Sequence, residues 1–159
     1  MRYLLLLFAF ISCSPLKSQL GVRIVHPEPT RYEITAADFD ELAERVMAEL
    51  EDLYPLNYTR EMMLAALDGT RVSVRYDVIV CPPHPQGCEG LTHVWLKTMQ
   101  LYVHSECAAD SALIHELLHL FRFQIELDGD SNHEDPVFFA VPDSIEIRLE
   151  QETRKLCDD

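Results

Sequence analysis

Residues 108–127 read Ala-Ala-Asp-Ser-Ala-Leu-Ile-His-Glu-Leu-Leu-His-Leu-Phe-Arg-Phe-Gln-Ile-Glu-Leu, and His115-Glu116-Leu117-Leu118-His119 at their centre matches H-E-x-x-H. Wound as a helix, the strongly polar positions past the first turn, apart from Gln124, form one stripe: His115, Glu116, His119, Arg122 and Glu126. Leu113, Ile114, Leu117, Leu118, Leu120, Phe121, Phe123 and Ile125 cover the other sides, so this helix is expected in the middle of a domain. Helical residues four apart lie about 40° apart around the axis and one turn along it, so both imidazoles can reach one tetrahedral zinc ion. Glu116 lies about 100° round from His115, close to the metal without being a ligand, and is placed to take a proton from a zinc-bound water. Two histidines and a carboxylate on a buried helix need partners, because unpaired buried polar groups are costly. Ala108, Ser111 and Ala112 precede them on the same side and leave room for a cleft.

A catalytic zinc takes a third protein ligand and keeps a position open for water. His133 is the first candidate, just past Asp128-Gly129-Asp130-Ser131-Asn132, a turn-forming run that ends the helix and lets the chain fold back past the metal. Glu146 or Glu150, on a helix expected from about Asp143, and Asp135 are the alternatives. The order of motif helix, Asp/Gly turn, His133 and then Phe138 and Phe139 is similar to the SprT-like zinc proteases over about His115 to Phe139, within the zincin-type metallopeptidases. A glutamate ligand would make the chain resemble the gluzincins instead, and Asp135 the aspzincins. The metzincin pattern is not followed, since Arg122 and Ile125 stand where it requires Gly and His. The resemblance implies one zinc ion, a peptide or protein substrate, and an edge strand before the motif helix that pairs with extended substrate, for which Met99 to His104 is in place. His93 and His104 read as structural, and Arg122 either stabilises an oxyanion or pairs with Glu126 at i+4.

Elsewhere, Gly21 to His26 reads as a short strand ended by Pro27 and Pro29. Thr35 and Asp38 form the signature of a capping box for a helix over Ala36 to Leu53, with Phe39, Leu42, Val46, Met47 and Leu50 on its apolar face. A second helix, from about Thr59 to Leu67, ends at Gly69. Arg71 to Val80 switches to period two, with Val72, Val74, Tyr76, Val78 and Val80 on one face of a single strand, and His93 to His104 reads as one long or two short strands. The expected fold class is α+β and zincin-like: a small, mainly antiparallel sheet, a scaffold helix, the buried H-E-x-x-H helix and a C-terminal helix.

The chain has 159 residues, 48% of them hydrophobic, enough for one domain with a real core. A formal charge of −14 argues against nucleic acid or an anionic membrane surface as partner, because both need a basic face. Arg2 and the apolar run Tyr3 to Ile11 read as an export signal over residues 1–12. Phe10-Ile11-Ser12-Cys13-Ser14 resembles the lipobox of bacterial lipoproteins, with Phe10 where that pattern usually has Leu. It implies lipidation of Cys13, residues 13–20 as a tether, the folded domain over 21–159, and a place in the bacterial cell envelope with the lipid as the one membrane attachment. Cys81, Cys88, Cys107 and Cys157 then remain, an even number for an oxidising compartment, with three possible pairings. The turn-rich stretch from Cys81 to Cys88 can close as a short disulfide loop, leaving Cys107 for Cys157; a zinc site from Cys81, His84 and Cys88 has wider spacing than a zinc knuckle. The function expected is a zinc-dependent hydrolase cleaving peptide bonds, with Glu116 as general base. The alternatives are a non-catalytic zinc-binding module on the same scaffold and a zinc amidase acting on cell-wall or other non-protein substrate.

Overall fold

Reciprocal caps fix where the first long helix starts. In the computed structural model, which describes residues 16–27, 32–81, 84–103, 105–128, 133–139 and 141–157, the Asp38 N–H donates to Thr35 Oγ1 at 3.1 Å and the Thr35 N–H to Asp38 Oδ2 at 3.0 Å. The export segment 1–12, Cys13 and His104 lie outside the described residues. In chain order the elements are β1 (Leu16–Lys17), β2 (Arg23–Val25), α1 (Ala36–Leu53), α2 (Arg60–Leu67), β3 (Arg71–Arg75), β4 (Ile79–Cys81), β5 (His84–Cys88), β6 (Gly90–His93), a 3-10 turn (Val94–Leu96), β7 (Thr98–Tyr102), α3 (Glu106–Glu126) and α4 (Ile145–Cys157). β1 falls inside residues 13–20, the expected tether, so the sheet begins within that stretch. Thr59 caps α2, and Gly69 leaves it with a φ of 76°, a conformation that glycine adopts without a steric penalty. Lys97 Nζ closes the same helix end by donating to the Ala65 and Asp68 carbonyls, each at 2.9 Å.

The five-stranded sheet runs β1-β2-β3-β7-β6 and is mixed, not mainly antiparallel. β2, β3 and β7 are mutually parallel, while β1 and β6 are antiparallel to their neighbours. Parallel pairing needs a long crossover; α1 and α2 supply it between β2 and β3. The expected edge strand is also corrected. β7 is paired on both sides, with Val72 opposite Met99 on one and Thr92 opposite Met99 on the other, so β6 forms the sheet edge.

Arg71 to Val80 is not one strand. The chain bends after Arg75, whose guanidinium folds back onto Asp77 (Nε to Oδ1 2.8 Å), and β4 pairs with β5 in a separate two-stranded antiparallel sheet. Val72 and Val74 are buried in the core, whereas Tyr76, Val78 and Val80 are exposed. A disulfide joins Cys81 to Cys88 across this hairpin, with the two Cα atoms 6.0 Å apart, and so uses both sulfurs of the alternative Cys81/His84/Cys88 zinc site. The side chains of Cys107 and Cys157 lie outside the described residues.

α3 packs against α1, α2, α4, β6 and β7. Leu113, Leu117, Leu118, Leu120 and Phe121 are fully buried there, meeting Phe39, Val46 and Leu50 of α1 and the inward residues of the sheet in one core. Among the described residues no helix is long and apolar enough to cross a membrane. Leu113→Ala should lower the unfolding free energy by about 2–5 kcal/mol, through lost transfer energy and the cavity left behind, as read by chemical denaturation.

Candidate metal centre

Three imidazoles from two segments converge on one point. His115 and His119 sit one turn apart on α3, and His133 comes back from beyond the helix end. The His119 Nε2 lies 3.0 Å from that of His115 and 3.0 Å from that of His133, and the third side of the triangle is 3.1 Å. Donors at about 2.05 Å from a tetrahedral zinc are about 3.3 Å apart, so the triangle is close to the spacing of a His₃ ligand set. The protonation pattern fits as well. His115 Nδ1 meets Glu146 Oε1 at 2.5 Å, a contact that favours a proton on Nδ1 and, in the neutral ring, leaves the Nε2 lone pair facing the other two rings. Three ring nitrogens this close cannot satisfy one another with in-plane protons; a divalent cation relieves the conflict. The group is therefore compatible with a bound metal ion.

The candidates for third ligand separate by distance. His133 joins the cluster; Glu146 backs His115 from α4; Glu150 accepts a hydrogen bond from the Ser111 hydroxyl; Asp135 pairs with Arg122 at 3.0 Å. Phe139, fully buried, packs against all three rings, with centroids 4.6 Å from His119, 5.0 Å from His133 and 5.3 Å from His115. Burial pulls the His115 imidazole down, but its hydrogen bond to the Glu146 carboxylate and the charges of Glu116, Glu146 and Glu150 outweigh it and leave the ring above its ordinary value. Of the two roles expected for Arg122, the structure displays the pair with Glu126, Nε to Oε2 at 3.5 Å. His93 is exposed at the end of β6.

Glu116 follows His115 on α3 and points into the wall formed by the edge strand. Its side chain is buried, and burial pushes its carboxyl above the usual carboxylate range, partly offset by the charge of His115 and by hydrogen bonds from the Thr92 hydroxyl and backbone. One oxygen, Oε2, has no hydrogen-bond partner among the described residues. Gly90 makes room for this carboxyl: a Cβ there would stand 2.7 Å from Glu116 Cδ, closer than real atoms approach. The sequence reading assigned no role to Gly90, Thr92 or Phe139, and took Glu146 only as a rival ligand. A glycine inside a strand was the one signal available, since it often marks a close approach.

Compared with family models, curated proteins and solved structures, the chain matches none. Its site stands on its own geometry.

Gly90→Ala should destabilise the protein by about 1–3 kcal/mol, the usual cost of overpacking. In a Glu116→Ala background the same substitution should cost close to nothing, because the atoms it meets are gone; denaturation of the four proteins in this cycle measures the difference.

Proposed function

We propose that the protein is a zinc-dependent hydrolase that cleaves peptide bonds, with Glu116 as its general base. The observation that carries this reading is the triangle of Nε2 atoms, 3.0–3.1 Å on a side, on the same helix as a buried carboxyl with a free oxygen. His115, His119 and His133 would hold the zinc; when bound, the ion supplies Lewis acidity and an acidified water. The protein's own groups do the remaining work. Glu116 accepts the proton of the attacking water at Oε2 and returns it to the leaving amine, so the carboxyl ends the cycle as it began. The Thr92 hydroxyl donates to the Glu116 backbone carbonyl at 3.4 Å, and Gly90 lets the carboxyl approach the edge strand closely. Glu146 keeps His115 in the tautomer that presents Nε2.

A peptide substrate is favoured over other amides by β6. It is paired only with β7 in the sheet and runs beside Glu116, so a backbone laid along it would reach the carboxyl. Export and a lipid on Cys13 remain part of the proposal. β1 begins three residues after Cys13 and forms the opposite edge of the sheet from β6, an arrangement in which an anchor would keep the site away from the membrane.

In the purified protein Glu116→Gln should retain zinc while cleavage of an unfolded protein falls by about 10²–10⁴-fold. Dialysis against a chelator should abolish the native activity, and added zinc should restore it. Undiminished cleavage by Glu116→Gln would take Glu116 out of the mechanism; stoichiometric zinc with no chelator-sensitive fragments would favour the non-catalytic module.

A further inference from the structure

Arg122 stands one turn beyond His119 on α3, in the polar stripe but outside the histidine cluster. It is only 8% exposed. Its Nη1 meets Asp135 Oδ2 at 3.0 Å, its Nη2 meets Asp128 Oδ2 at 3.8 Å, and its Cζ lies 4.9 Å from the centroid of the Phe138 ring. Asp128 and Asp135 flank the segment that carries His133, the first just past the end of α3 and the second two residues after the histidine. Asp135 also starts the turn that delivers Phe139. Its Oδ1 accepts the Val137 N–H at 2.9 Å, and its carbonyl accepts the N–H groups of Phe138 and Phe139 at 3.2 and 3.0 Å. His133 itself has a φ of 55°, in the left-handed region that disfavours most side chains, a conformation that contacts of its neighbours help to hold.

We propose that Arg122 is the positioning residue for the third metal ligand: its guanidinium fastens Asp135 to α3 and so sets His133, two residues earlier, beside His119 before an ion arrives. The inference rests on the metal reading above. An arginine suits the task because its planar fork aims Nη1 at the Asp135 carboxylate in a fixed direction, where a lysine offers a mobile point charge. Removing the guanidinium takes away the ion pair that holds Asp135 to α3, and with it the hold on His133.

The test is a Co²⁺ titration of the native protein, Arg122→Gln, Arg122→Lys, Asp135→Asn and Glu126→Gln. Affinity is read by competition with a chromophoric chelator, coordination by the visible absorption band, and stability by the metal-free unfolding midpoint. Arg122→Gln should weaken Co²⁺ binding about ten- to a hundredfold, the usual range for groups that orient a metal ligand, and change the band as His133 leaves. Arg122→Lys and Asp135→Asn should move both readings the same way. Glu126→Gln removes a partner of Arg122 that lies on α3 itself and binds the Tyr58 hydroxyl at 2.7 Å. It should lower the midpoint and leave affinity and band unchanged. Native-like binding by Arg122→Gln, or an equal loss in Glu126→Gln, overturns the proposal. If Arg122→Gln does not fold, Asp128→Asn combined with Asp135→Asn keeps the arginine and carries the same expectation. Failure of the native protein to take up cobalt would remove the metal reading, visibly before any substitution, and this proposal with it.

Discussion

A helix that is apolar on nearly every side must be enclosed, and its few polar side chains must then be satisfied from the elements that enclose it. This constraint on α3 organises the molecule. Ser111 and His115 take Glu150 and Glu146 of α4; the Glu116 carbonyl takes the Thr92 hydroxyl of the edge strand; His119 meets His133; Arg122 takes Asp135; Glu126 takes Tyr58 from the segment before α2. Each hydrogen bond contributes a net of only about 0.5–1.5 kcal/mol, yet an unsatisfied partner would cost about 1–3 kcal/mol. The stripe therefore acts less as a source of stability than as a selector of arrangement. These contacts favour the docking of α4, β6 and the residues from His133 to Phe139 that brings the candidate site residues together.

The helices were legible in the sequence because their signals are local. A cap at Thr35, a stop at Gly69 and an apolar period near 3.6 depend on residues within one or two turns. The sheet was legible only in part. Val72 and Val74 follow the strand period into the core; Tyr76, Val78 and Val80 continue the same period in the sequence, but the bend at Arg75–Asp77 turns them outward. Whether neighbours run parallel depends on which strand a crossover reaches, and no local period records that. The same gap misplaced this edge of the sheet: β7 lies between two partners, β3 and β6, while β6, short and containing a glycine, is the edge strand on that side.

At the site, spacing alone made His115, Glu116 and His119 readable, and a turn-rich run made His133 the leading third partner. Chemistry could not rank it further. Imidazole and carboxylate are both good zinc ligands, and Glu146 and Asp135 lie close enough in the chain to compete. Distance separates them, and distance was set by where α4 docks. Thr92 and Gly90 were invisible for a related reason: they sit 24 and 26 positions before Glu116, as ordinary strand residues whose significance appears only where the carboxyl presses on them.

The carboxylates around the histidines bear on why a metal would stay. Three neutral imidazoles holding a divalent ion leave two positive charges in a half-buried place, a costly arrangement if nothing balances them. Glu146 lies directly on His115, and the charges of Glu116 and Glu150 also act on that ring. Without the ion these acidic groups crowd one another, and one symptom is a Glu116 carboxyl raised by burial and by Glu146. With the ion the same groups become its counter-charge. The same negative surroundings would favour a divalent cation, so the charge around the three nitrogens, as much as their direction, is compatible with a metal.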